Sequence, residues 1–284
     1  MHTHPPEFRV TSMCRVLQVS RSGFYAWRGR EPSARTQANQ HLTERIRGLH
    51  QQTREAYGAR KMWQLLNREG VPCGRHRVAR LRRLAGIVAL RRRRYVRTER
   101  ARQQDSMAIP NRLNQQFAVS AKNRVWAADY TFVPTRTGWL YVAVILDLYS
   151  RRIVGWAMSP RQTLTVVAEA WWMAWPRRRP APGLVHHSDQ GNQYRAGLYQ
   201  QLLARRGVVP SMSRKGNCYD NAPVESFFSS RKNELTRHRY FQHHAEARYA
   251  IAEYSEVFYN RQRLHQALGY RTPDEFERQQ GAGT

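Results

Sequence analysis

The hydrophobic pattern divides the chain into a helical first third and a second part rich in strands. Residues 8–28 and 57–90 place apolar side chains at helical spacing, and each stretch is broken once by a short turn. From Asn123 onward the apolar runs become continuous and rich in Val, Ile, Tyr and Trp, which is typical of buried strands. The pattern therefore predicts helical modules followed by an α/β core.

The first helical stretch, residues 8–28, has the features of a helix-turn-helix. Ser20 is placed to cap the second helix, and we expect the aromatic cluster of Phe24, Tyr25 and Trp27 to pack that helix onto the first. An ordinary helical hairpin would show the same pattern, so contact with DNA stays open for this stretch.

The second stretch, residues 57–90, gives a stronger helix-turn-helix signal. Leu65 and Leu66 end one amphipathic helix, Gly70 begins a Gly-Val-Pro turn, and the next helix carries Val78, Leu81 and Leu84 on one face with arginines opposite. This organisation predicts a small basic module with an apolar core of its own.

The charge balance changes this picture from a helical module to a nucleic-acid-binding one. The chain has 48 Lys and Arg against 20 Asp and Glu, a formal net charge of +28, and residues 1–121 hold 25 basic and 7 acidic side chains. A solvated charged face is the ordinary explanation of a charge run, but acidic residues are almost absent here. We therefore expect a polyanionic partner. The candidate DNA contacts are Arg60, Lys61, Arg75, Arg77, Arg80, Arg82, Arg83, Arg91, Arg92, Arg93 and Arg94.

Three further features concern the linker, the thiols and the cell compartment. Residues 91–121 are too charged and too poor in apolar side chains to build a core, which predicts a linker along DNA phosphates. Cys14, Cys73 and Cys218 lie far apart without a Cys-x-x-Cys pair, which favours reduced thiols over disulfides or a zinc finger. Because we find no long apolar span and no signal peptide, we expect a soluble intracellular protein.

The second part of the chain predicts elements in the order βββαβαβα. Asn221 is expected to cap the last helix, with Pro223 in its first turn. For Trp171, Trp172 and Trp175 we expect packing against the sheet rather than stacking on nucleotides. The predicted strands are 125–133, 139–148, 152–158, 184–187 and 208–212, and the predicted helices are 163–175, 197–206 and 222–235.

Three acidic residues of this predicted core point to metal-dependent chemistry on phosphodiesters. Asp129 lies in the middle of an apolar strand, Asp189 follows a short strand, and Glu225 lies in the first turns of a helix. Hard divalent cations prefer carboxylate oxygens, and two such ions drive phosphodiester hydrolysis or transfer at many sites. Each acid alone could be a cap or a salt-bridge partner. Asp147 is the substitute candidate, although a turn-ordering role is expected for it, and Asp220 is expected to order the loop before Asn221.

The motifs around these acids resemble a known family. They are Asp-Tyr-Thr from Asp129, His-Ser-Asp-Gln-Gly-x-Gln-Tyr around Asp189, and Asp-Asn-Ala-x-x-Glu-Ser-Phe-Phe around Glu225, and 35 residues separate Asp189 from Glu225. The segment Tyr-Gly-x-Arg-x-x-Trp-x-x-Leu beginning at Tyr57 and the tail from Tyr259 extend the likeness. The chain resembles the OrfB transposase of the insertion-sequence-three family, a retroviral-integrase-like transposase with an Asp-Asp-Glu site.

This resemblance implies a fold and a set of site residues. The fold is an RNase H-like integrase core, a mixed five-stranded sheet flanked by helices, preceded by helix-turn-helix modules. Asp129, Asp189 and Glu225 would hold two Mg²⁺ ions, for which Mn²⁺ would substitute. Lys232 lies about two helical turns beyond Glu225 on the same face, where it would hold DNA phosphate, or else it is an ordinary exposed lysine. Zinc is not expected, because the His-His-Cys-Cys module of retroviral integrases is missing.

The resemblance also implies an activity, partners and a location. The chain would bind terminal inverted repeats and target DNA, cleave and join strands, and work as a homo-oligomer on DNA in the bacterial cytoplasm near the nucleoid. The protein of an upstream reading frame is a further expected partner or fusion. A metal-dependent nuclease on the same fold and a DNA-binding regulator with an inactive core are the alternatives. A tyrosine recombinase is disfavoured because no histidine has Arg three residues on.

Two polar residues near Asp189 and the domain boundaries complete the expectations. His187 and Asn192 either position DNA or water or are satisfied structural residues. The expected domains are a first helix-turn-helix with helical linker at 1–54, a second helix-turn-helix at 55–90, a basic linker at 91–121, the catalytic core at 122–240 and a helical tail at 241–284.

Overall fold

The computed structural model describes residues 9–90, 109–214, 218–237 and 239–281. The predicted DNA contacts Arg91, Arg92, Arg93 and Arg94 lie outside these residues, as does most of the predicted linker. The helices of the first third are α1 (Val10–Val16), α2 (Arg21–Arg28), α3 (Ala34–Gln52), α4 (Ala59–Arg68) and α5 (Arg75–Leu84).

The hairpin of α1 and α2 has the predicted cap but not the predicted packing. The hydroxyl of Ser20 accepts a hydrogen bond from the N–H of Gly23 at 2.9 Å, which confirms the cap. Tyr25 and Trp27, however, remain 49% and 58% exposed, whereas Phe24 is half-buried, so the expectation that the cluster packs α2 onto α1 is wrong for Tyr25 and Trp27. Of the residues described in these two helices, only Cys14 is buried. Two helices of seven and eight residues have too little apolar surface to bury more.

Helix α3 belongs to the second helical module rather than to the first. Its Leu42, Ile46 and Leu49 share one apolar core with Met62 of α4 and Val78 of α5. The expected boundary between residues 54 and 55 would cut through this core, and we propose that the module begins with α3. We call α3, α4 and α5, with the turns that join them, the helical module.

The second half of the chain forms one five-stranded mixed sheet, and the predicted order βββαβαβα is confirmed with one additional four-residue helix. In the sheet the strand order is β3-β2-β1-β4-β5; β2 is antiparallel to β1 and β3, and β4 is parallel to β1 and β5. The elements are β1 (Val125–Thr135), β2 (Gly138–Asp147), β3 (Ile153–Ser159), α6 (Leu164–Arg178), β4 (Val185–Ser188), α7 (Asn192–Arg195), α8 (Gly197–Ala204), β5 (Val209–Met212) and α9 (Ala222–Arg231).

Both faces of the sheet are covered. On one face α6 and α8 pack over alternate strand residues such as Trp126 and Ala128. Trp171 is fully buried there, as predicted, whereas Trp172 is 48% exposed and its ring lies under the guanidinium of Arg206. On the other face α9 and the tail cover the remaining alternate residues, such as Ala127.

The C-terminal tail is part of the same core. It consists of α10 (His244–Glu253), which runs on as a π-helix over Tyr254–Gln262, and α11 (Pro273–Gly281). Ile251, Phe258 and Tyr259 of the tail are buried against the sheet and α9. A boundary between residues 240 and 241 would divide this core, and we propose that the tail and the core form one domain.

Residues 109–121, expected to be part of a linker along DNA, pack on the sheet instead. Leu113 is buried in the core beneath α9, and Phe117 and Val119 contact the same cluster. The backbone N–H of Arg112 donates to Ser211 Oγ at 2.9 Å. These few apolar side chains have the ready-made surface of the sheet to bury against, which an isolated linker lacks.

Within the described residues, no helix is long and apolar enough to cross a membrane.

Candidate active site

Two of the three candidate carboxylates lie side by side at the centre of the sheet. β1 and β4 are parallel, and their register pairs Ala128 with Ser188. Asp129 is the next residue of β1, and Asp189 is the first residue after β4. The negative charge of Asp189 raises the pKa of Asp129, which shows that the two carboxylates lie close together. Their neighbours Ala127 and His187 point to the face that α9 covers, and side chains two residues apart share a face. Asp129 thus projects toward α9, and the charges of both Asp189 and Glu225 raise its pKa.

The third carboxylate, Glu225, is brought to this face by the start of α9. Asn221 immediately precedes the helix, and its buried side-chain amide donates to the carbonyl of Ala128 at 3.1 Å. That carbonyl belongs to the residue before Asp129. Asn221 holds the N-cap position of α9, as predicted, but its side chain makes no cap hydrogen bond. Its amide ties the helix to the strand instead, and Glu225 follows within the first turn.

The electrostatics show that the three carboxylates act on one another. Burial raises the pKa of Asp129 well above its usual value, and the negative charges of Asp189 and Glu225 raise it further. The backbone N–H of Tyr130 donates to Asp129 Oδ1 at 2.8 Å, and this hydrogen bond opposes the rise in pKa. Burial also raises the pKa of Asp189. The cluster therefore carries like charges at close quarters, where a cation is favoured.

Lys232 supplies positive charge to this cluster. Its ammonium lowers the pKa of Asp129, which places it within electrostatic reach of that carboxylate. The backbone changes at this residue, because α9 ends at Arg231 and residues Lys232–Thr236 continue as a π-helix. The side chain is exposed to solvent. An exposed cation beside a cluster of acids is suitably placed to hold the phosphate of a substrate.

A divalent metal fits the chemistry of this cluster. Three carboxylates are hard oxygen donors of the kind that Mg²⁺ and Mn²⁺ prefer. In the described part of the chain, no group of three or more His, Cys, Asp or Glu side chains is arranged so that it could already hold an ion.

A glycine that the motif contains, but that sequence reasoning did not single out, holds Asp189 in place. The N–H of Gly191 donates to Asp189 Oδ1 at 3.0 Å. A Cβ at this position would lie only 2.9 Å from the same oxygen and 3.6 Å from a ring carbon of Tyr130. The Asp-Gln-Gly run was the signal for this role in the sequence. Any side chain at the glycine would collide with the Asp189 carboxylate, so a residue without a side chain is needed here.

The polar residues near Asp189 have different surroundings. His187 is fully buried, and its two ring nitrogens contact the hydroxyls of Ser211 at 2.9 Å and Ser213 at 3.1 Å. Burial lowers its pKa to about 4, so the ring is neutral near pH 7. Between the two interpretations that the sequence left open, the structural one fits His187. Asn192 is exposed at the start of α7.

The two other acids have the structural roles expected of them. Asp147 accepts the N–H of Tyr149 at 3.0 Å within the turn after β2 and pairs with Arg178 at 3.0 Å. It is therefore not a substitute for a member of the cluster. Asp220 accepts hydrogen bonds from the backbone and guanidinium of Arg214, which lower its pKa to about 2. Both predictions, a turn and a loop ordered by a carboxylate, are confirmed.

The candidate DNA contacts of the helical module differ in exposure. Arg82 is only 5% exposed, so its assignment to an exposed basic surface is wrong: it lies on the side of α5 that faces the core of the module. Arg77 is half-buried and donates to Asn39 Oδ1 at 2.9 Å. Lys61 is also half-buried, and its pKa is lowered to about 8, mainly because burial disfavours the charged amine. The exposed candidates are Arg60, Arg75, Arg80 and Arg83.

Comparisons with known proteins agree with this architecture. The model of the HTH-like domain family matches residues 37–95, which begin inside α3. Models of the integrase core domain match residues 119–218 and 206–273. The second of these matches runs from before β5 into the tail.

Relatives cover nearly the whole chain. It is 46% identical over 264 residues to the insertion element IS600 uncharacterized 31 kDa protein of Shigella sonnei, a match that spans 93% of this chain and 97% of that protein. It is 39% identical over 277 residues to the transposase InsF for insertion sequence IS3A of Escherichia coli K12, spanning 96% of each. It is 39% identical over 249 residues to the transposase for insertion sequence element IS904 of Lactococcus lactis, spanning 88% and 98%.

Solved structures similar to the chain include the HTLV-2 integrase catalytic core domain in complex with magnesium, at 15% identity and a TM-score of 0.44, covering 55% of this chain and 96% of that one. The catalytic core domain of BIV integrase is 20% identical with a TM-score of 0.44, covering 57% and 97%.

The fold, the carboxylate cluster and the matched domains define an integrase-core transposase, a polynucleotidyl transferase with an HTH-like domain. More particularly, the chain belongs to the insertion-sequence-three family of transposases, as the identity to IS3 and IS600 proteins over most of its length shows. DNA is the class of partner that these domains imply.

Proposed function

We propose that the chain binds the terminal inverted repeats of its element and uses Asp129, Asp189 and Glu225 to cleave and join DNA strands. The observation that carries this proposal is the convergence of the three carboxylates on one face of the sheet. The charges of Asp189 and Glu225 both raise the pKa of Asp129, and the Asn221 amide holds the helix of Glu225 against β1. A structural role needs no such convergence of like charges.

The proposed chemistry is two in-line displacements at phosphorus. In the first, water attacks a phosphodiester at the element end, the P–O3′ bond breaks, and a 3′-hydroxyl is released. In the second, that hydroxyl attacks a phosphodiester of another strand, forms a new P–O bond and releases the 3′-oxygen of that strand, which takes up a proton. Each step exchanges one P–O bond for another, so no oxidant or energy source is needed.

Each site residue has a separate part in this proposal. Asp129, Asp189 and Glu225 would hold two divalent ions, Mg²⁺ or Mn²⁺, which when bound make water a better nucleophile and neutralise charge on the leaving oxygen. Lys232 would hold a phosphate of the element end, since its ammonium is exposed yet within electrostatic reach of Asp129. The repulsion within the cluster favours the closure of its side chains around positive charge.

The helical module would carry end recognition. Arg75, Arg80 and Arg83 lie exposed on α5. Their contacts with DNA phosphates would raise the affinity for DNA and make that affinity fall steeply as the salt concentration rises. Pairing two element ends requires at least two copies on DNA, and the protein of an upstream reading frame would add a further DNA-binding segment. The nucleoid is the location that this activity requires.

The test is strand cleavage and joining on labelled DNA with the element's ends, comparing the parent with Asp189→Asn. The variant removes one negative charge and keeps the size of the side chain. We expect products that require Mg²⁺ or Mn²⁺ in the parent and a loss of at least a hundredfold in the variant. A parent that binds the ends equally in metal and in chelator but never cuts would refute catalysis and favour a regulator. Cutting without preference for the ends would favour a nuclease.

A further inference from the structure

A short segment of the tail, residues 262–265, lies between the helical module and α9. The backbone is extended at Arg263, with φ −74° and ψ 118°, so consecutive side chains point to opposite sides. Leu264 points into the apolar core of the module, where it is 2% exposed. Arg263 contacts α9 and the π-helical turn that follows it. Two adjacent residues therefore contact two different parts of the protein.

The guanidinium of Arg263 is held by α9, the helix of Glu225, and by the π-helical turn that follows it. Its Nε lies 2.9 Å from Oε2 of Glu234, and its Nη2 lies 2.9 Å from Oε1, a two-pronged pairing. The same Nη2 donates to Ser230 Oγ at 3.0 Å. Both side chains of the ion pair are largely buried, at 12% and 8% exposure. Tyr254 adds a hydroxyl that donates to Glu234 Oε2 at 2.7 Å.

The module holds the other side of this segment through one tyrosine. Tyr57, which is 1% exposed, accepts the backbone N–H of Leu264 at 2.7 Å and donates to the carbonyl of Gln262 at 3.4 Å. The residues on either side of Arg263 are thus fixed to the module. Ion pairs of Arg54 with Glu253 and of Arg68 with Glu275 attach the module to the tail at two further places.

The geometry points to Arg263 as a positioning residue that links DNA-end recognition to the active site. Ser230 and Glu234 lie five and nine residues beyond Glu225, and Lys232 lies between them. When Arg263 holds Ser230 and Glu234, it fixes the orientation of α9 and so the position of Glu225 and Lys232 relative to the helical module. This inference rests on the proposed function, because it assumes that the module binds the ends that the carboxylates cut.

The direct test replaces Arg263 by lysine, which keeps the charge but loses the two-pronged geometry. The matched control is Arg45→Lys, which changes an arginine paired with Glu69 on the surface of the module. A milder second variant, Tyr254→Phe, removes one donor to Glu234 and keeps the ring in the core. The measurements are affinity for end DNA, the single-turnover cleavage rate at saturating DNA, and hydrogen exchange of residues 222–236 without DNA.

We expect Arg263→Lys to bind end DNA within twofold of the parent and to cleave it at least tenfold more slowly, with the fraction of DNA finally cut unchanged. Tyr254→Phe should cleave about threefold more slowly, and Arg45→Lys should match the parent. A purely structural role would lower the fraction of active protein rather than the rate constant. Exchange in residues 222–236 should be faster in Arg263→Lys and Tyr254→Phe than in the control.

Equal cleavage rates for Arg263→Lys, Tyr254→Phe and Arg45→Lys would overturn the inference. If the parent fails to cut element ends, the proposed function fails, but the exchange measurement still decides the positioning role. Faster exchange at 222–236 in both core variants would then support a fixed α9, and exchange equal to that of Arg45→Lys would refute it.

Discussion

Replacing Gly191 by alanine perturbs the position of one carboxylate and little else. The backbone at Gly191 has φ −58° and ψ 143°, which alanine adopts without strain. The new Cβ, however, would lie 2.9 Å from Asp189 Oδ1, closer than carbon and oxygen approach in ordinary contact. The carboxylate must therefore move by a few tenths of an ångström, and the 3.0 Å hydrogen bond from the N–H of Gly191 is weakened or lost.

The expected cost is small for stability and large for activity. A weakened hydrogen bond at a partly exposed site costs about 1 kcal/mol of the free energy of unfolding. Catalysis is more sensitive, because displacements on the order of 1 Å lower rates by about a hundredfold. We expect Gly191→Ala to cleave labelled end DNA about ten to a hundred times more slowly than the parent in Mg²⁺.

The matched control is Gly197→Ala, at the first residue of α8, where a Cβ would meet no atom within 4 Å. The assay is single-turnover cleavage at saturating DNA, with thermal unfolding of both variants measured in the same buffer. Gly197→Ala should cleave like the parent. If Gly191→Ala cleaved at the rate of Gly197→Ala while folding normally, the position of Asp189 would not limit catalysis and the reasoning would be refuted.

Two further predictions concern stability. Gly155→Ala should lower the free energy of unfolding by about 3 kcal/mol in urea denaturation, because its Cβ would lie 2.2 Å from the carbonyl oxygen of Ala170 in α6; an unchanged midpoint would show that the strand and helix separate easily. Lys61→Met tests a half-buried amine whose pKa is lowered to about 8, chiefly by burial. Between pH 8 and 10.5 the unfolded chain binds the proton more strongly, so the stability of the parent rises relative to Lys61→Met as the pH rises through this window. The full shift corresponds to about 3 kcal/mol, and solvent screening of the half-buried amine reduces the expected gain to about 1–2 kcal/mol. If the difference in the free energy of unfolding between the parent and Lys61→Met did not change with pH, the partly buried environment of Lys61 would be contradicted.

The sequence by itself determined the elements of the core and the identity of the candidate carboxylates. The continuous apolar runs, the turn residues between them and the helical periodicity are local properties, so the order βββαβαβα could be predicted. Asp129, Asp189 and Glu225 were recognisable because acids are scarce in this basic chain and lie in specific motifs. Their roles stay predictions, but in the structure Asp189 and Glu225 both lie close enough to Asp129 for their charges to raise its pKa.

Only the tertiary structure decided which residues support that face. Asn221 takes the predicted N-cap position, but its side-chain amide donates to a strand residue 93 positions away in sequence instead of capping the helix. Arg82 looked like part of a basic surface, yet the packing of α3 against α5 buries it. The pairing of Arg263 with Glu234 joins two segments whose sequences carry no sign of each other. Contacts between distant segments depend on how the elements pack together, and a pattern read along the chain holds no information about that packing.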